Sequence, residues 1–269
     1  MKYLETLIEK LRKRSLSFGY TCDGCGKEVF NYQAQPFCDS CEQKMPKNIT
    51  ERCEKCGRKT VTKGVCWNCK QKSPSFTKGV SPFVYKGKIA ELVNRLKNGD
   101  RYLSYFFGKK MTESLLENYP QISEFDRGRY ALNDENKEQS LLVLPVPLYI
   151  TDEKRREYNQ ALDLAKAVYE ELKKRGYSVF MDEETLLKVK STQSQKKLTL
   201  FERAENLVGA FHVHKRTEVK NRTILLIDDI MTTGATGDEC AARLKGAGAK
   251  EVVFLTLASL PELKPKAEN

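Results

Sequence analysis

Eight of the nine cysteines form four CxxC pairs in the first quarter of the chain, and this spacing constrains that region more than any other feature does. A CxxC turn presents two sulfurs from one backbone knuckle, and zinc is held by four thiolates at tetrahedral corners, so two knuckles close one site. Four knuckles therefore predict two structural zinc ions. The pairs are Cys22/Cys25, Cys38/Cys41, Cys53/Cys56 and Cys66/Cys69.

The eight cysteines admit two other interpretations. A disulfide framework would suit a secreted chain, but a disulfide within a CxxC pair is strained and the sequence shows no signal peptide. An iron–sulfur site also uses cysteine ligands. The spacing leaves open which knuckles share a metal, although nearest neighbours in order are the simplest pairing. Cys240, the ninth cysteine, falls in a predicted helix and is expected to be a small buried hydrophobic residue.

The formal net charge is +11, and residues 1–72, the predicted head, hold 15 Lys and Arg against 8 Asp and Glu. Each zinc ion with four thiolates contributes a net charge of about −2, so two filled sites reduce the surplus of the head to about +3. Basic side chains beside aromatic rings can bind single-stranded nucleic acid, with Trp67 the best candidate for stacking. Alternatively, the rings form the small core of a zinc module. The aromatic residues among the knuckles are Phe30, Tyr32, Phe37 and Trp67.

No run of residues approaches the roughly 18 apolar residues that a membrane helix needs. Residues 1–15 place leucine and isoleucine on one helical face, but charges interrupt the run and no small-residue cleavage site follows. We predict a short amphipathic helix there and a cytoplasmic protein without a membrane span.

A cluster of Ser and Pro residues at 73–83 marks a change of pattern and predicts a domain boundary near residue 73. Beyond it, apolar runs at 141–146, 224–228 and 252–257 are typical of strands buried on both faces. Stretches with helical periodicity separate them, at about 89–96, 102–118, 159–174 and 236–247. We predict a zinc-binding domain over residues 1–72 and an α/β domain with a doubly wound, mainly parallel sheet over residues 73–269.

The segment 224–237, ILLIDDIMTTGATG, is a predicted strand followed by a loop and a helix. This order places the loop at the carboxyl edge of the sheet, where open α/β sheets bind ligands. Gly234 and Gly237 let the backbone curl, so that amide groups and threonine hydroxyls can converge on one phosphate at the helix N-terminus. The GxxxxGK[ST] pattern is absent, which removes the main support for an ATPase or GTPase.

Asp228 and Asp229 are adjacent and would face opposite sides of a regular strand, so both serve one ligand only if the strand ends there. Carboxylates beside a phosphate site are costly unless they meet hydroxyl donors or a cation. A ribose 5-phosphate satisfies both demands. The alternative is an acid pair that only caps the following helix.

This segment closely resembles the signature of type I phosphoribosyltransferases, which bind 5-phosphoribosyl-1-pyrophosphate (PRPP). The resemblance implies that Asp228 and Asp229 bind the ribose hydroxyls while Thr232, Thr233, Gly234, Ala235 and Thr236 bind the 5-phosphate, with Mg²⁺ accompanying PRPP. Wider resemblance points to the ComF competence-protein family. It is carried by the CxxC head, YKGKIAELVNRLK at 85–97, LPVPL at 144–148, REYNQA at 156–161, and the stretch from Gln195 through Arg203 and Asn206 to GAF at 209–211.

ComF proteins usually read RGFNQA where this chain reads REYNQA, so Glu157 replaces a glycine. In the fold that the resemblance implies, the loop after the first sheet strand contacts pyrophosphate. A basic stretch at 188–198 resembles the flexible loop that closes over PRPP. The residues so implied are Pro145, Val146, Pro147, Leu148, Arg155 and Arg156 for pyrophosphate, and Lys196 and Lys197 for the flexible loop.

Two functions of different class follow. The first is a PRPP-binding protein of DNA uptake in natural transformation that binds single-stranded DNA through the zinc head, with other DNA-uptake or recombination proteins as further partners. The second is a metabolic phosphoribosyltransferase whose zinc head is only structural. No residue identifies an acceptor, and no side-chain nucleophile is required, because pyrophosphate would leave through an oxocarbenium-like transition state.

Overall fold

The structure is a computed structural model, and it describes residues 20–29, 35–126, 140–149, 158–191 and 207–262. Contacts between residues divide the chain into two compact units, Met1–Pro46 and Lys47–Asn269. The amphipathic helix predicted over residues 1–15 lies outside the described residues. Among the described helices, none combines the length and the apolar composition that a membrane crossing requires.

The first unit is a small module built around its cysteines. Strands β1 (Tyr20–Thr21) and β2 (Glu28–Val29) form an antiparallel pair, and helix α1 (Asp39–Gln43) follows later in the chain. The short strands flank the first knuckle because the Cys22 amide donates to the carbonyl of Lys27 at 2.9 Å. Phe37 is fully buried and provides apolar packing for this module.

The second unit contains a six-stranded sheet and the helices that cover it. The strands follow the order β3 (Lys78–Val80), β10 (Glu251–Ser259), β9 (Thr223–Met231), β5 (Leu141–Pro145) and β6 (Val179–Met181) across the sheet, and every pair is parallel. The short strand β4 (Phe83–Val84) pairs with β10 beyond the end of β3. The elements in chain order are α2 (Trp67–Gln71), β3 (Lys78–Val80), β4 (Phe83–Val84), α3 (Gly87–Lys97), α4 (Leu103–Asn118), a 3-10 helix (Pro120–Phe125), β5 (Leu141–Pro145), α5 (Gln160–Lys174), β6 (Val179–Met181), β7 (Leu186–Lys188), β8 (Phe211–Val213), α6 (Arg216–Val219), β9 (Thr223–Met231), α7 (Ala235–Gly246) and β10 (Glu251–Ser259).

The central strands are buried on both faces, as their uninterrupted apolar sequences predict. Leu226 of β9 and Phe254 of β10 belong to a core cluster with Leu244 of α7. The alternate residues of these strands are also buried, and α5 contacts β5 and β9. Successive side chains of a strand point to opposite faces, so apolar layers cover both sides of the sheet. The predicted parallel α/β fold is confirmed.

The second pair of knuckles belongs to the sheet unit rather than to the small module. Cys53, Cys56, Cys66 and Cys69 are all buried in the same core cluster as the sheet residues. The predicted head over residues 1–72 is thus divided between the two compact units, and the predicted boundary at residue 73 falls inside the second. The physical reason is that the four cysteines of the second pair share the buried core of the sheet unit, and that the Gly79 amide of β3 donates to the Lys55 carbonyl in the knuckle.

Two glycines allow this close packing. The Gly79 amide in β3 donates to the carbonyl of Lys55 at 2.8 Å. A Cβ atom on Gly79 would lie 2.4 Å from the carbonyl oxygen of Cys56. A Cβ atom on Gly57 would lie 2.2 Å from the carbonyl oxygen of Gly79. Gly57 also has a φ of 70°, a conformation that disfavours other residues. The knuckle therefore packs backbone to backbone on the edge strand.

Candidate functional site

The cysteines form two four-sulfur clusters, and each combines two knuckles that are neighbours in the sequence. All four sulfur atoms of a cluster lie within 4.8 Å of one another. The pairing in order, which the spacing suggested as the simplest, is confirmed. The first cluster is Cys22, Cys25, Cys38 and Cys41, and the second cluster is Cys53, Cys56, Cys66 and Cys69.

The geometry of both clusters fits a tetrahedral metal ion. Tetrahedral zinc with bonds of about 2.3 Å to sulfur separates its sulfurs by about 3.8 Å. The Sγ atoms of Cys25 and Cys38 are 3.9 Å apart, and those of Cys56 and Cys66 are 3.7 Å apart. All nine cysteines are free thiols, so the chain shows no disulfide framework. Each cluster could therefore hold one metal ion.

Hydrogen bonds lower the pKa of some cysteines in each cluster, whereas the pKa of others, such as Cys41 and Cys66, is raised. Cys22 Sγ accepts from the amides of Gly24 and Cys38 at 3.3 and 3.2 Å. Burial raises the pKa of Cys22, but hydrogen bonds from backbone amides outweigh it and lower the pKa to about 6. In the second cluster, hydrogen bonds from the neighbouring thiols lower the pKa of Cys53 far below its ordinary value. A depressed thiol pKa favours the thiolate that binds metals.

The two acids lie at the carboxyl edge of the sheet, beside the loop that follows β5. Strand β5 ends at Pro145, which pairs with Ile227, and the Val146 amide donates to the Ile227 carbonyl at 2.8 Å. Strand β9 continues past this point through Asp228 and Asp229, the acid pair, to Met231. Strand β9 does not end at the acids, as their joint use by one ligand was expected to require, because β10 keeps pairing with it as far as Met231. The neighbouring strand β5 does end before them, at the pair Pro145 and Ile227. The acid pair thus projects beyond β5, next to the loop.

The surroundings of the acid pair reduce its negative charge. Burial, together with the adjacent Asp229, raises the pKa of Asp228 to about 8. Its carboxyl oxygen accepts from the Asp229 amide at 2.8 Å. Asp229 forms an ion pair with Lys97, whose Nζ lies 2.8 Å from the carboxylate oxygen. The raised pKa of Asp228 and the ion pair of Asp229 both reduce repulsion of an anionic ligand.

Residues 232–236, which are predicted to bind a phosphate and are here named the phosphate loop, link β9 to helix α7. Gly234 occupies the N-cap of α7 with a φ of 90°, a left-handed conformation that glycine adopts without strain. Thr233 Oγ1 accepts from the Ala235 amide at 3.1 Å, and the Gly234 carbonyl accepts from the Asp238 amide at 2.8 Å. The predicted loop at the start of a helix is present, and its five residues are half-buried.

The predicted pyrophosphate loop is held by the segment that carries the REYNQA motif. The Asn159 side chain donates to the Val146 carbonyl at 3.1 Å and accepts from the Ala161 amide at 3.0 Å, which caps helix α5. The Tyr158 hydroxyl donates to the Leu96 carbonyl and accepts from the Gly99 amide at 2.8 Å. The motif therefore connects the loop to the end of helix α3, where Lys97 lies.

Several predicted residues lie outside the described part of the chain, namely Arg155, Arg156, Lys196, Lys197, Phe30 and Tyr32. The flanks of the predicted flexible loop are described. Strands β7 and β8 pair antiparallel at its base, and the Val189 amide donates to the Ala210 carbonyl at 2.8 Å. Cys240 is fully buried, as expected.

Positive charge is concentrated around the second cluster. Residues 1–46 contain 7 Lys and Arg against 6 Asp and Glu, whereas residues 47–72 contain 8 against 2. Trp67 opens helix α2 with 44% of its surface exposed, and Lys63 and Lys70 are exposed in the same segment. Phe37 is buried in the first unit, as its alternative role in a small core requires. Most of the excess positive charge predicted for the head thus comes from residues 47–72.

Sequence reasoning missed two residues at the site. Lys97 belongs to a segment that resembles the ComF family, and its only local signal is its position after the buried Leu96. Arg58 lies in the second cluster, where its Nε donates to Cys56 Sγ at 3.2 Å and its Nη2 donates to the Thr233 carbonyl at 3.3 Å. Both residues reach the site through contacts between distant segments of the chain, which local spacing does not reveal.

A parallel α/β sheet with an acid pair and a glycine-containing phosphate loop at its carboxyl edge defines the class of protein. Residues 143–268 match the family described as the phosphoribosyl transferase domain. The second unit therefore has a type I phosphoribosyltransferase fold.

Most of the chain is similar to proteins named for competence and DNA utilization. It is 27% identical to Competence protein F of Haemophilus influenzae over 88% of this chain and 89% of that protein. It is 24% identical to Competence protein ComFC of Bacillus subtilis, over 82% and 84%. It is 26% identical to DNA utilization protein YhgH of Salmonella typhimurium, over 80% and 86%. The resemblance to the ComF family is confirmed.

Proposed function

We propose that this chain binds PRPP at the acid pair and the phosphate loop, and that it serves DNA uptake by binding single-stranded DNA at the basic surface around the second cluster. The observation that carries the PRPP proposal is the placement of the acid pair, which lies beyond the end of β5 and directly before the phosphate loop. Asp228 has a pKa of about 8 and Asp229 is paired with Lys97, so neither carboxyl strongly opposes a polyanion. Ribose hydroxyls can then bind the acid pair while the 5-phosphate occupies the loop.

Metal ions have two roles in this proposal. Zinc fills both cysteine clusters as a structural ion, because tetrahedral sulfur sites are typical of zinc. Mg²⁺ arrives with PRPP and neutralises the pyrophosphate. Among the described residues, only the two cysteine clusters bring three or more metal-ligand side chains together. Mg²⁺ would therefore be held mainly by oxygens of PRPP itself. The cytoplasm, where thiols stay reduced, is the compartment that suits nine cysteines of which none forms a disulfide.

Thermal unfolding with and without PRPP and Mg²⁺ tests the ligand. We expect PRPP to raise the melting temperature of the sheet unit, because a ligand that binds only the folded state stabilises it. The double variant Asp228→Asn, Asp229→Asn should lose this effect while it remains folded without ligand. PRPP affinity retained in the double variant would contradict the ribose contacts.

The DNA proposal is supported by charge and by an exposed ring in one segment. A filled second cluster lowers the charge of residues 47–72 from +6 to about +4, whereas a filled first cluster brings residues 1–46 to about −1. Trp67 supplies an exposed ring between basic residues. Phosphate neutralisation by lysine and stacking on an aromatic ring are the two interactions that bind single strands without sequence preference. The competence and DNA utilization names of the relatives agree with this activity.

A salt series with matched lysine variants tests the surface. We expect Lys63→Ala with Lys70→Ala to weaken binding of an oligonucleotide of single-stranded DNA. The slope of log affinity against log salt should also fall, by about 0.7 for each phosphate that the variant no longer neutralises. The control pair, Lys27→Ala with Lys44→Ala, removes equal charge from the first unit. If the two pairs of variants weaken DNA binding equally, the basic residues around the second cluster are not the DNA-binding surface. No binding at low salt, together with PRPP turnover in the presence of an acceptor, would favour the metabolic enzyme.

A further inference from the structure

Arg58 is a buried cation between the second cluster and the phosphate loop. Only 3% of its surface is exposed. Its guanidinium donates to Cys56 Sγ at 3.2 Å and, across 175 residues of sequence, to the Thr233 carbonyl at 3.3 Å. A buried guanidinium is stable only when anions and acceptors surround it. Four thiolates with a divalent metal carry a net charge of about −2, so a filled second cluster supplies that partner.

The contact at Thr233 fixes the direction of one peptide group in the phosphate loop. The Thr233 carbonyl and the Gly234 amide belong to the same planar, trans peptide group, so they point in opposite directions. When Arg58 holds the carbonyl on the side of the cluster, the Gly234 amide is aimed away from it. Gly234 has a φ of 90° and no side chain to fix its backbone, so the peptide depends on such external contacts.

A second contact joins the same two regions. The Ser75 amide donates to Asp238 Oδ1 at 2.6 Å, and Lys72 Nζ lies 3.5 Å from Asp238 Oδ2. Asp238 is in the first turn of helix α7, and its amide donates to the Gly234 carbonyl. The segment after the second cluster therefore also holds the helix turn on which the phosphate loop rests.

We propose that Arg58 is a positioning residue that couples metal binding at the second cluster to phosphate binding at the loop. With the metal present, Arg58 is held by Cys56 and turns the Gly234 amide toward the bound 5-phosphate. Loss of the metal releases Arg58 and the peptide. Because coupling between two sites is reciprocal, a phosphorylated ligand in the loop also retains the metal. The ligand side of this proposal rests on the proposed PRPP binding, whereas the effect of Arg58 on the loop does not.

The test uses the full chain loaded with zinc and compares Arg58→Ala and Arg58→Lys with Lys27→Ala. Lys27 occupies the same place in the first knuckle, five residues after its first cysteine, and is exposed. Hydrogen exchange of residues 231–239 is measured without ligand. We expect faster exchange in Arg58→Ala, a smaller change in Arg58→Lys, which keeps the charge but not the two-pronged guanidinium, and none in Lys27→Ala.

Zinc release to a chelator is then followed with and without PRPP and Mg²⁺. In the wild type and in Lys27→Ala, PRPP should slow release from the second cluster by about tenfold, a size typical of coupling between sites. Arg58→Ala should lose this protection. The coupling would be overturned if amide hydrogen exchange of residues 231–239 were unchanged in zinc-loaded Arg58→Ala. It would also be overturned if PRPP slowed zinc release from Arg58→Ala as much as from the wild type. If the wild type does not bind PRPP, the proposed function fails and the exchange measurement still decides the role of Arg58. If Arg58→Ala does not hold zinc, Arg58→Lys replaces it in both measurements.

Discussion

The two cysteine clusters are built from the same knuckle in different surroundings. In each, the amide of the first cysteine donates at 2.9 Å to the carbonyl five residues later, which belongs to Lys27 in one and to Arg58 in the other. A glycine with φ near 70° precedes that residue in both, Gly26 and Gly57. Yet Lys27 is exposed and Arg58 is buried against the phosphate loop.

The difference shows that a metal-binding motif fixes a local turn but not the role of the turn. The first cluster closes a small unit of its own, and Cys25 is exposed there. The second cluster is part of the core that the sheet and helix α7 share. A glycine contact with β3 and the Arg58 hydrogen bonds make it a structural element of the predicted PRPP site.

The largest effect should come from removing one ligand of each cluster. We expect Cys66→Ser to abolish cooperative unfolding of the sheet unit, because structural zinc contributes about 10–16 kcal/mol in small zinc domains and a whole domain is stable by only about 5–15 kcal/mol. Cys38→Ser should lose one zinc and leave the sheet unit folded. Circular dichroism melts and elemental analysis measure both. A sheet unit that melts normally in Cys66→Ser would show that the second cluster is not needed for the sheet unit to fold.

The close contact of the second knuckle with β3 gives the next largest effect. Gly79→Ala places a methyl group against the Cys56 carbonyl, which is backbone and cannot rotate away. We expect a loss of about 3 kcal/mol or more in the free energy of unfolding, since overpacking at a rigid contact forces the backbone to shift. Gly246→Ala in α7 is the control, because nothing lies within 4 Å of its Cβ position. Equal stability of the two variants in denaturant melts would contradict the contact.

The aromatic residues of the two units should respond differently. Trp67→Ala should weaken single-stranded DNA binding by about 1–3 kcal/mol, the usual contribution of one stacked base, with little change in melting temperature. Phe37→Ala should destabilise the first unit and leave DNA binding unchanged, because Phe37 is buried. Fluorescence anisotropy at fixed salt, with melts of the same samples, measures both quantities. A loss of DNA affinity in Phe37→Ala alone would reverse the assignment.

The smallest effect, when measured over a single pH unit, concerns the sheet unit alone, because Asp228 lies on β9. Asp228 has a pKa of about 8 when folded and 3.8 as an ordinary carboxyl, so the folded state keeps a proton that the unfolded state releases between these values. Its contribution to stability is therefore fully present below pH 4 and is lost as pH rises toward 8, by about 1.4 kcal/mol from pH 6 to pH 7. The difference between wild type and Asp228→Asn in denaturant melts isolates this contribution. A pH-independent difference would show that Asp228 is ionised in the fold.

Local sequence determined much of this protein. Each CxxC turn needs only three residue steps, and neighbouring turns are the shortest to bring together, so the four-sulfur clusters and their pairing follow from spacing. The apolar runs predict buried parallel strands because their burial on both faces removes any alternation of polar residues. The phosphate loop could be predicted because glycine and threonine residues lie between a predicted strand and a predicted helix. The chain must turn there before the helix begins, and glycine permits that turn.

Tertiary structure alone decided how these parts are joined. Cys53 and Cys22 begin equivalent knuckles, yet the knuckle of Cys53 is buried in the core of the sheet unit, where it packs closely on Gly79 of β3. Strand β9 runs beyond the acid pair because β10 continues to supply hydrogen bonds. Lys97 and Arg58 reach the acid pair and the phosphate loop from more than a hundred residues away. Side-chain spacing repeats over a few residues, whereas these contacts depend on which surfaces the folded core brings together.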